Sequence, residues 1–275
     1  MKKKNDSPYV TIRRRDDERR RRHKRESRRG FHGWKKVLCI ILIVCAVLGL
    51  GGFAALNIYA ADYYEADATA DEILEAASDM DVYDDYIVLW GNENAQDYQE
   101  GTATIFYPGG KVEYTAYLPL LQRLQLAGMT VVLVKMPYNL AFFDIDRADD
   151  IMEAMPEITT WNLVGHSLGG VAASMYYSNN ESKINRLALL GSYIVGDANR
   201  ENTLIIYGTE DVQLDLTKIE DTDNVVTIQG GNHAQFGNYG EQDGDGEATL
   251  SADYQQRITA TALMKWLVYG EVYNQ

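Results

Sequence analysis

The stretch LVGHSLGG, residues 163–170, decides the fold that we predict for this chain. Its G-x-S-x-G pattern around Ser167 follows an apolar segment, residues 161–165, and precedes a segment of helical character. In that context the serine stands on a sharp strand-to-helix turn, where Gly165 and Gly169 keep side chains away from neighbouring backbone. Such a turn exposes the serine hydroxyl beside the free N–H groups of a helix N-terminus. We therefore predict that Ser167 is a nucleophile.

Segments of strand and helix character alternate on both sides of this turn. The predicted strands are residues 86–90, 102–107, 130–136, 161–165, 186–190, 203–207 and 225–228. The predicted helices are residues 114–127, 145–155, 168–178 and 252–269. We expect the first two strands, which a polar loop separates, to be neighbours. The alternation predicts an α/β fold with a mostly parallel sheet and helices on both faces.

The base that activates the serine is predicted by elimination among four histidines, because a serine is a weak nucleophile without one. His23 and His32 lie in the basic N-terminal tail. His166 adjoins the serine, so its side chain is expected to point away from it into packing. His233 lies after the last short strand, in the glycine-rich stretch GGNHAQFGNYG. It is the predicted base.

A carboxylate should orient the imidazole and stabilise its charged form. The loop after the strand TLIIY contains Asp211, which we predict to be this acid, with Glu210 and Asp215 as alternatives. The charge of an oxyanion would be stabilised by the backbone N–H of Leu168 and by a second N–H from the loop YPGGK, residues 107–111.

The loop YPGGK offers two donors for this second position. Either Gly110 or Lys111 could supply the N–H, and the sequence does not separate them. A plain strand-to-helix turn explains the two glycines of this loop equally well. Only the position of the loop relative to Ser167 favours the oxyanion role.

Five stretches of the chain together resemble the α/β-hydrolase superfamily. They are YPGGKVEYTAY, VVLVKMPYNLAFF, LVGHSLGG, IIYGTED and GGNHAQFGNYG, in the order that the family uses. The chain is most similar to the compact branch of dienelactone hydrolases and small bacterial carboxylesterases. The resemblance implies an eight-stranded-type sheet, a triad of Ser167, Asp211 and His233, and neither an organic nor a metal cofactor. Because dienelactone hydrolases use cysteine where this chain has Ser167, their substrates are not carried over.

The same resemblance suggests where substrate binds. Glu113, Asn139 and His166 lie near the expected site and are candidates for a substrate pocket. Only about a dozen residues separate Leu190 from Thr203, which is an ordinary loop length. We therefore expect no sizeable cap domain, and an open site.

The N-terminal third of the chain has a different composition. Residues 1–36 contain sixteen Lys and Arg against five Asp and Glu, and the rest of the chain carries a net charge of −25. Residues 37–61 are uncharged and long enough to cross a bilayer. We predict a disordered basic tail (1–36), a transmembrane signal anchor (37–61), an acidic juxtamembrane stalk or helix (62–84) and a hydrolase domain (85–275). The positive-inside rule predicts a cytoplasmic tail and an extracytoplasmic hydrolase domain; cleavage after Ala60 or Ala61 is the alternative.

Several kinds of chemistry find no support in the sequence. The two cysteines, Cys39 and Cys45, both lie in the apolar segment, so the exported part has no disulfide and no cysteine nucleophile. The acidic stretch 243–247 lacks the spacing of a calcium loop. No nucleotide-binding motif or metal-type cluster occurs. The strongly acidic exterior argues against nucleic acid as a ligand.

The predicted function is hydrolysis of carboxylic esters through an acyl-enzyme on Ser167. The substrate would be a small ester or an ester bound in the cell envelope, reached by a protein held at the cell membrane. One alternative is a membrane-tethered acyltransferase or deacylase of envelope acyl groups. The other is a non-catalytic surface binding protein on a hydrolase scaffold, because a fold alone does not fix a function.

Overall fold

The computed structural model describes residues 8–76 and 79–274, and the chain divides into two compact units, Met1–Tyr59 and Ala60–Gln275. The described residues of the first unit lie in one long helix, α1 (Pro8–Ala61). Within α1, Trp34–Ala61 is long and apolar enough to cross a membrane, and it is the one such segment among the described residues. Most of the predicted anchor, residues 37–61, is solvent-exposed in this segment.

The prediction of a disordered basic tail differs from the structure, which is helical from Pro8 onward. Residues 1–7 lie outside the described part of the chain. Arg, Lys and Glu are good helix formers, and charges of both signs at a spacing of three or four residues favour a helix. These local preferences explain why a segment with few apolar residues is helical.

The second unit is built on one eight-stranded sheet. Its strands are β1 (Met80–Val82), β2 (Tyr86–Leu89), β3 (Thr102–Tyr107), β4 (Thr130–Val134), β5 (Thr160–His166), β6 (Leu187–Leu190), β7 (Thr203–Gly208) and β8 (Asn224–Ile228). Their order across the sheet is β1-β2-β4-β3-β5-β6-β7-β8. The last six strands of this order are parallel, whereas β1 and β2 are antiparallel to their neighbours.

Helices cover both faces of this sheet, as the sequence predicts. They are α2 (Ala68–Ala76), α3 (Leu118–Leu126), α4 (Arg147–Ala154), α5 (Leu168–Asn179) and α6 (Ala252–Met264), and α6 continues as a π-helical turn (Lys265–Tyr269). Side chains of α3 and α6 pack in the core of one face, and those of α4 and α5 in the core of the other. The structure is therefore an α/β-hydrolase fold with two apolar cores.

One predicted strand pairing is wrong. The strands at 86–90 and 102–107 are not neighbours, because β4 lies between β2 and β3. Every residue of β4 is buried. A strand that is apolar on both faces belongs in the interior of a sheet, with partners on both sides.

The predicted stalk, residues 62–84, is in fact part of the hydrolase domain. Tyr64 forms an isolated parallel bridge with Val112, Ala70 of α2 is completely buried, and β1 pairs with β2 at the sheet edge. The compact unit accordingly begins at Ala60 rather than at residue 85. The segment is acidic on its outer side, which explains why its composition resembles that of a stalk.

The ends of the parallel strands define one edge of the sheet. Ser167, Gly191 and Asp211 follow β5, β6 and β7, and His233 follows β8. Ligands of open α/β sheets bind outside the carboxyl ends of the strands. Between β6 and β7 lies only the short segment 191–202, so no cap is inserted there.

Candidate active site

Ser167 lies on a strained turn between β5 and α5. Its backbone has φ 52° and ψ −122°, a conformation that is uncommon for a residue with a side chain. The turn is held by the Ser167 N–H, which donates to the carbonyl of Leu190 at 2.9 Å. A Cβ at Gly165 would lie 2.5 Å from the carbonyl oxygen of Gly169. The predicted reason for these two glycines, close backbone approach, is thus confirmed.

The side chains of Asp211 and His233 form a buried pair. His233 Nδ1 lies 2.9 Å from Asp211 Oδ2, and the two side chains are 3% and 0% exposed. The other carboxylate oxygen accepts from the backbone N–H groups of Gln213 and Leu214, both at 3.0 Å. Because both oxygens of Asp211 accept hydrogen bonds, the direction of the carboxylate is fixed.

Gly191 touches this pair directly. A Cβ at Gly191 would lie 2.9 Å from His233 Nδ1 and 3.0 Å from Asp211 Oδ2, and the residue has φ +50°.

Within the described residues, Ser167 Oγ makes no hydrogen bond to His233. Such bonds are often long without substrate and shorten in the complex.

The loops that carry Asp211 and His233 are bonded to each other. The N–H of Glu210 donates to the carbonyl of Gly231 at 2.8 Å, and the N–H of Gly230 donates to Thr209 Oγ1 at 2.8 Å. Gly208 permits this approach, since a Cβ there would lie 2.1 Å from the Gly231 carbonyl. The hydrogen bonds keep the two loops in a fixed relation.

The two alternative acids have other partners. Glu210 accepts from the hydroxyl of Thr209 at 3.1 Å. Asp215 accepts from the backbone N–H and the hydroxyl of Thr217, at 3.1 and 2.6 Å, and so caps a short 3₁₀ turn. Of the three carboxylates proposed from the sequence, only Asp211 contacts His233.

The backbone N–H groups of Gly110 and Leu168, near Ser167, have no acceptor among the described residues. A Cβ at Gly110 would lie 2.7 Å from Leu168 Cδ2, so the two residues are in contact. The N–H of the preceding residue, Gly109, donates to Tyr117 Oη at 3.0 Å.

Lys111 is the alternative to Gly110 as the second oxyanion donor, and the structure argues against it. Its N–H donates to the carbonyl of Asn139 at 2.8 Å. Lys111 and Asn139 both have left-handed backbone, with φ 57° and 52°. Gly110 is the member of the predicted pair whose donor is available.

A sequence model of the alpha/beta hydrolase family matches residues 103–257, more than half of the chain. The chain belongs to the α/β-hydrolase family. It is accordingly a hydrolase enzyme. No curated protein matches the sequence of this hydrolase.

Solved structures similar to the hydrolase include several esterases and lipases. A monoacylglycerol lipase from Paleococcus ferrophilus is 14% identical, with a TM-score of 0.49 over 70% of this chain and 100% of that chain. Est1E from Butyrivibrio proteoclasticus is 12% identical, with a TM-score of 0.47 over 68% and 96% of the two chains. FphF, a fluorophosphonate-binding serine hydrolase from Staphylococcus aureus, is 12% identical, with a TM-score of 0.44 over 70% and 95%.

The three predicted pocket residues of the hydrolase have other surroundings in the structure. Glu113 accepts from the backbone N–H of Ala66 at 2.9 Å, so its carboxylate fastens the segment before α2. Asn139 is half-buried, and its backbone carbonyl accepts a hydrogen bond from the N–H of Lys111. His166 is completely buried. The pocket prediction for His166 is therefore wrong, whereas the expectation that it packs inward is confirmed.

The sequence did not identify the partner of His166. Its Nδ1 lies 2.7 Å from the hydroxyl oxygen of Tyr117, and its Nε2 lies 3.1 Å from the backbone carbonyl oxygen of His233. Burial lowers the pKa of His166 well below its usual 6.5, and a charge on His233 lowers it further, against a smaller opposing effect of the hydrogen bond to the His233 carbonyl. Burial also raises the pKa of the Tyr117 phenol. Both side chains are therefore neutral in the folded hydrolase.

The acidic stretch 243–247 supports the loop of His233. Asp245 Oδ2 accepts from the N–H of Ala234 at 2.8 Å, and its Oδ1 accepts from the N–H of Gly246 at 2.8 Å. Among the described residues, no group of three or more His, Cys, Asp or Glu side chains could hold a metal ion. Both carboxylate oxygens of Asp245 therefore accept from main-chain N–H groups, one of them in the residue after His233.

Proposed function

We propose that this hydrolase cleaves carboxylic esters through an acyl-enzyme on Ser167. The observation that carries the proposal is the buried hydrogen bond between Asp211 and His233, at the same sheet edge as the strained turn of Ser167. A base oriented by a third group, next to a hydroxyl on such a turn, is the arrangement that nucleophilic catalysis by serine requires.

Acylation begins when Ser167 Oγ attacks the ester carbonyl and His233 Nε2 accepts its proton. Asp211 accepts from Nδ1–H of His233 and so keeps the basic lone pair on Nε2. The carbonyl oxygen becomes an oxyanion, which accepts hydrogen bonds from the N–H groups of Leu168 and Gly110. The bond to the alcohol oxygen then breaks as His233 gives its proton to that oxygen.

Deacylation repeats these steps with water. His233 Nε2 takes a proton from a water molecule, whose oxygen attacks the acyl carbon on Ser167. The same two N–H groups stabilise the second oxyanion. Collapse returns the proton to Ser167 Oγ and releases the carboxylic acid.

The absence of an insertion between β6 and β7 supports accessible substrates. Ser167 is half-buried rather than enclosed, and the described part of the chain has only the segment 191–202 at this position. We propose small or envelope-bound esters as substrates, with water as the acyl acceptor.

We further propose that the enzyme is a single-pass membrane protein with a cytoplasmic N-terminus. The support is the apolar helix Trp34–Ala61 together with sixteen basic residues in 1–36. Positive residues beside a membrane span remain on the cytoplasmic side. The hydrolase domain would then face the opposite side.

The test uses the full-length chain in detergent micelles with a fluorophosphonate probe and a short-chain p-nitrophenyl ester. Ser167→Ala and His233→Ala should each lose probe labelling and at least about 10⁴-fold in kcat. Ser178→Ala, which changes a serine at the far end of the same helix, should keep both. A well-folded wild type that neither labels nor hydrolyses the ester would contradict the proposal.

A further inference from the structure

Tyr117 and His166 connect two parts of the candidate site from inside the core. We propose that these two residues position the catalytic His233 and the loop that carries Gly110 relative to each other. This inference rests on the proposed serine-hydrolase function. Neither residue reaches substrate, because both side chains are completely buried. They are positioning residues that act through His233 and through the backbone of the loop.

The directions of the hydrogen bonds follow from the atoms involved. The backbone carbonyl of His233 can only accept, so His166 Nε2, at 3.1 Å, carries a proton. A neutral imidazole has one N–H, which leaves His166 Nδ1 as an acceptor. Tyr117 therefore donates its O–H to Nδ1 at 2.7 Å, and its oxygen accepts from the N–H of Gly109 at 3.0 Å. The network runs from Gly109 to the backbone of His233 without an unpaired atom.

The network works only while His166 is neutral. A second proton on His166 would put an N–H against the O–H of Tyr117. It would also place a positive charge beside His233, whose ring centroid lies 4.6 Å from that of His166. In the proposed mechanism His233 becomes an imidazolium, and a like charge at this distance would oppose that step. Burial of His166, away from water, keeps it neutral.

The network also fixes the loop from which the oxyanion donor comes. Gly109 is bonded to Tyr117, and the next residue, Gly110, has a free N–H and packs against the side chain of Leu168. The ring of Tyr117 is held by Phe106, with centroids 4.9 Å apart. A shift of Tyr117 or His166 would therefore move the base and the oxyanion donor at once.

Four variants of the full-length enzyme test the proposal. Tyr117→Phe removes the hydroxyl and keeps the ring. His166→Leu removes both nitrogens, and His166→Gln restores a donor and an acceptor. Tyr176→Phe is the matched control, because Tyr176 is also buried and donates to Asp149 at 2.5 Å, nine residues beyond Ser167 along α5.

We expect Tyr117→Phe and His166→Leu to lower kcat by about 10-fold to 100-fold, because small misplacements of reacting groups are costly. KM should not change, since no contact with substrate is lost. His166→Gln should recover part of kcat. Tyr176→Phe should lower the unfolding temperature as much as Tyr117→Phe does and keep the wild-type kcat.

Two results would overturn the proposal. The first is that the wild type is active but Tyr117→Phe has the same kcat as wild type, or that the control Tyr176→Phe lowers kcat as much as Tyr117→Phe does. That result would overturn the positioning role and leave the proposed function intact. The second is a ¹⁵N spectrum in which His166 carries its proton on Nδ1, which is independent of activity and remains decisive if His166→Leu does not fold. A wild type without esterase activity would remove the proposed function, and the positioning role with it.

Discussion

The carboxylate of Glu113 accepts a hydrogen bond from the backbone N–H of Ala66 at 2.9 Å. The contact belongs to a longer set that joins residues 62–67, here called the strap, to the loop that carries Gly110. The N–H of Tyr64 donates to the carbonyl of Lys111 at 2.8 Å, and the N–H of Glu113 donates to the carbonyl of Tyr64 at 2.9 Å.

The strap also reaches the loop that follows His233. The hydroxyl of Tyr64 accepts from the N–H of Asp243 at 3.1 Å, and its ring lies 5.7 Å from that of Tyr239. Asp67 exchanges hydrogen bonds with Asn238. The strap thus links the two loops on the outside of the domain, while Tyr117 and His166 link them on the inside.

Glu113→Ala tests the strap. The variant leaves the Ala66 N–H without its acceptor, which costs about 1–2 kcal/mol and should lower the unfolding temperature by roughly 2–8 °C for a domain of this size. We expect kcat for ester hydrolysis to fall severalfold as well. Glu113→Gln, whose amide oxygen still accepts, should resemble wild type. If Gln is as damaging as Ala, the charge of Glu113 and not this hydrogen bond is what matters.

Gly191→Ala should disable the enzyme through the pair beside it. Its Cβ would lie 2.9 Å from His233 Nδ1, so the histidine must move away from Asp211. Gly240→Ala is the control, because Gly240 also has positive φ but has open space where a Cβ would stand. Both variants place an alanine at positive φ and so carry a similar backbone strain. Only Gly191→Ala should have a lower kcat than wild type, by about 100-fold or more. Equal losses in the two variants would assign the effect to strain alone.

Asp211→Asn should reduce kcat by about 10³-fold to 10⁴-fold with little change in KM. An amide N–H₂ facing His233 Nδ1 would favour the tautomer with its proton on Nε2, which cannot act as a base. Glu210→Gln, at the neighbouring half-buried residue, should keep the wild-type rate. Steady-state kinetics of both variants check this prediction, and a large loss in Glu210→Gln would point to a different acid.

The depressed pKa of His166 predicts a loss of stability in acid. Below pH 6.5 the unfolded chain binds a proton at this residue that the folded chain does not, so stability falls as pH decreases. The slope for one such group reaches about 1.4 kcal/mol per pH unit. Thermal unfolding of wild type and His166→Gln at about pH 7.5 and about pH 5.5 tests this. The variant should lose less stability, and identical losses would contradict the prediction.

Membrane orientation can be tested with cysteines, because the native ones, Cys39 and Cys45, both lie within the apolar helix. Asp221→Cys places a thiol on the exposed surface of the hydrolase domain, and Arg20→Cys places one in the exposed part of the tail. In intact cells, a membrane-impermeant maleimide should label the first variant and not the second. The reverse pattern would invert the proposed topology.

Sequence reasoning succeeded where a local pattern determines the structure. The turn at Ser167 was predictable because the glycines on both sides of it leave room for the close backbone approach that such a turn requires. The sheet was predictable from alternating apolar segments. Elimination among the histidines left His233, and the structure brings it to Asp211, one of the three carboxylates that the sequence offered.

The remaining features depend on contacts between distant backbone atoms, which leave no side-chain pattern. Whether Gly110 or Lys111 has the free N–H is decided by the carbonyl of Asn139, 28 residues after Lys111. The strap was predicted as part of a stalk because its bonds to residues 111–113 join groups far apart in the sequence, and two of them are between main-chain groups. Likewise, the burial of His166 was predictable, but its bond to Tyr117 was not.

The proposed oxyanion donors at Gly110 and Leu168 are main-chain N–H groups, and this has a genetic consequence. At position 168 every substitution except proline retains an N–H, because proline alone lacks one. A saturation library should therefore tolerate many codons at position 168, limited by the contact of the side chain with Gly110. At positions 167 and 233 nearly every codon change should be a null allele. The proposed oxyanion stabilisation would depend on backbone conformation, so we expect substitutions to impair it mainly at glycines such as Gly110.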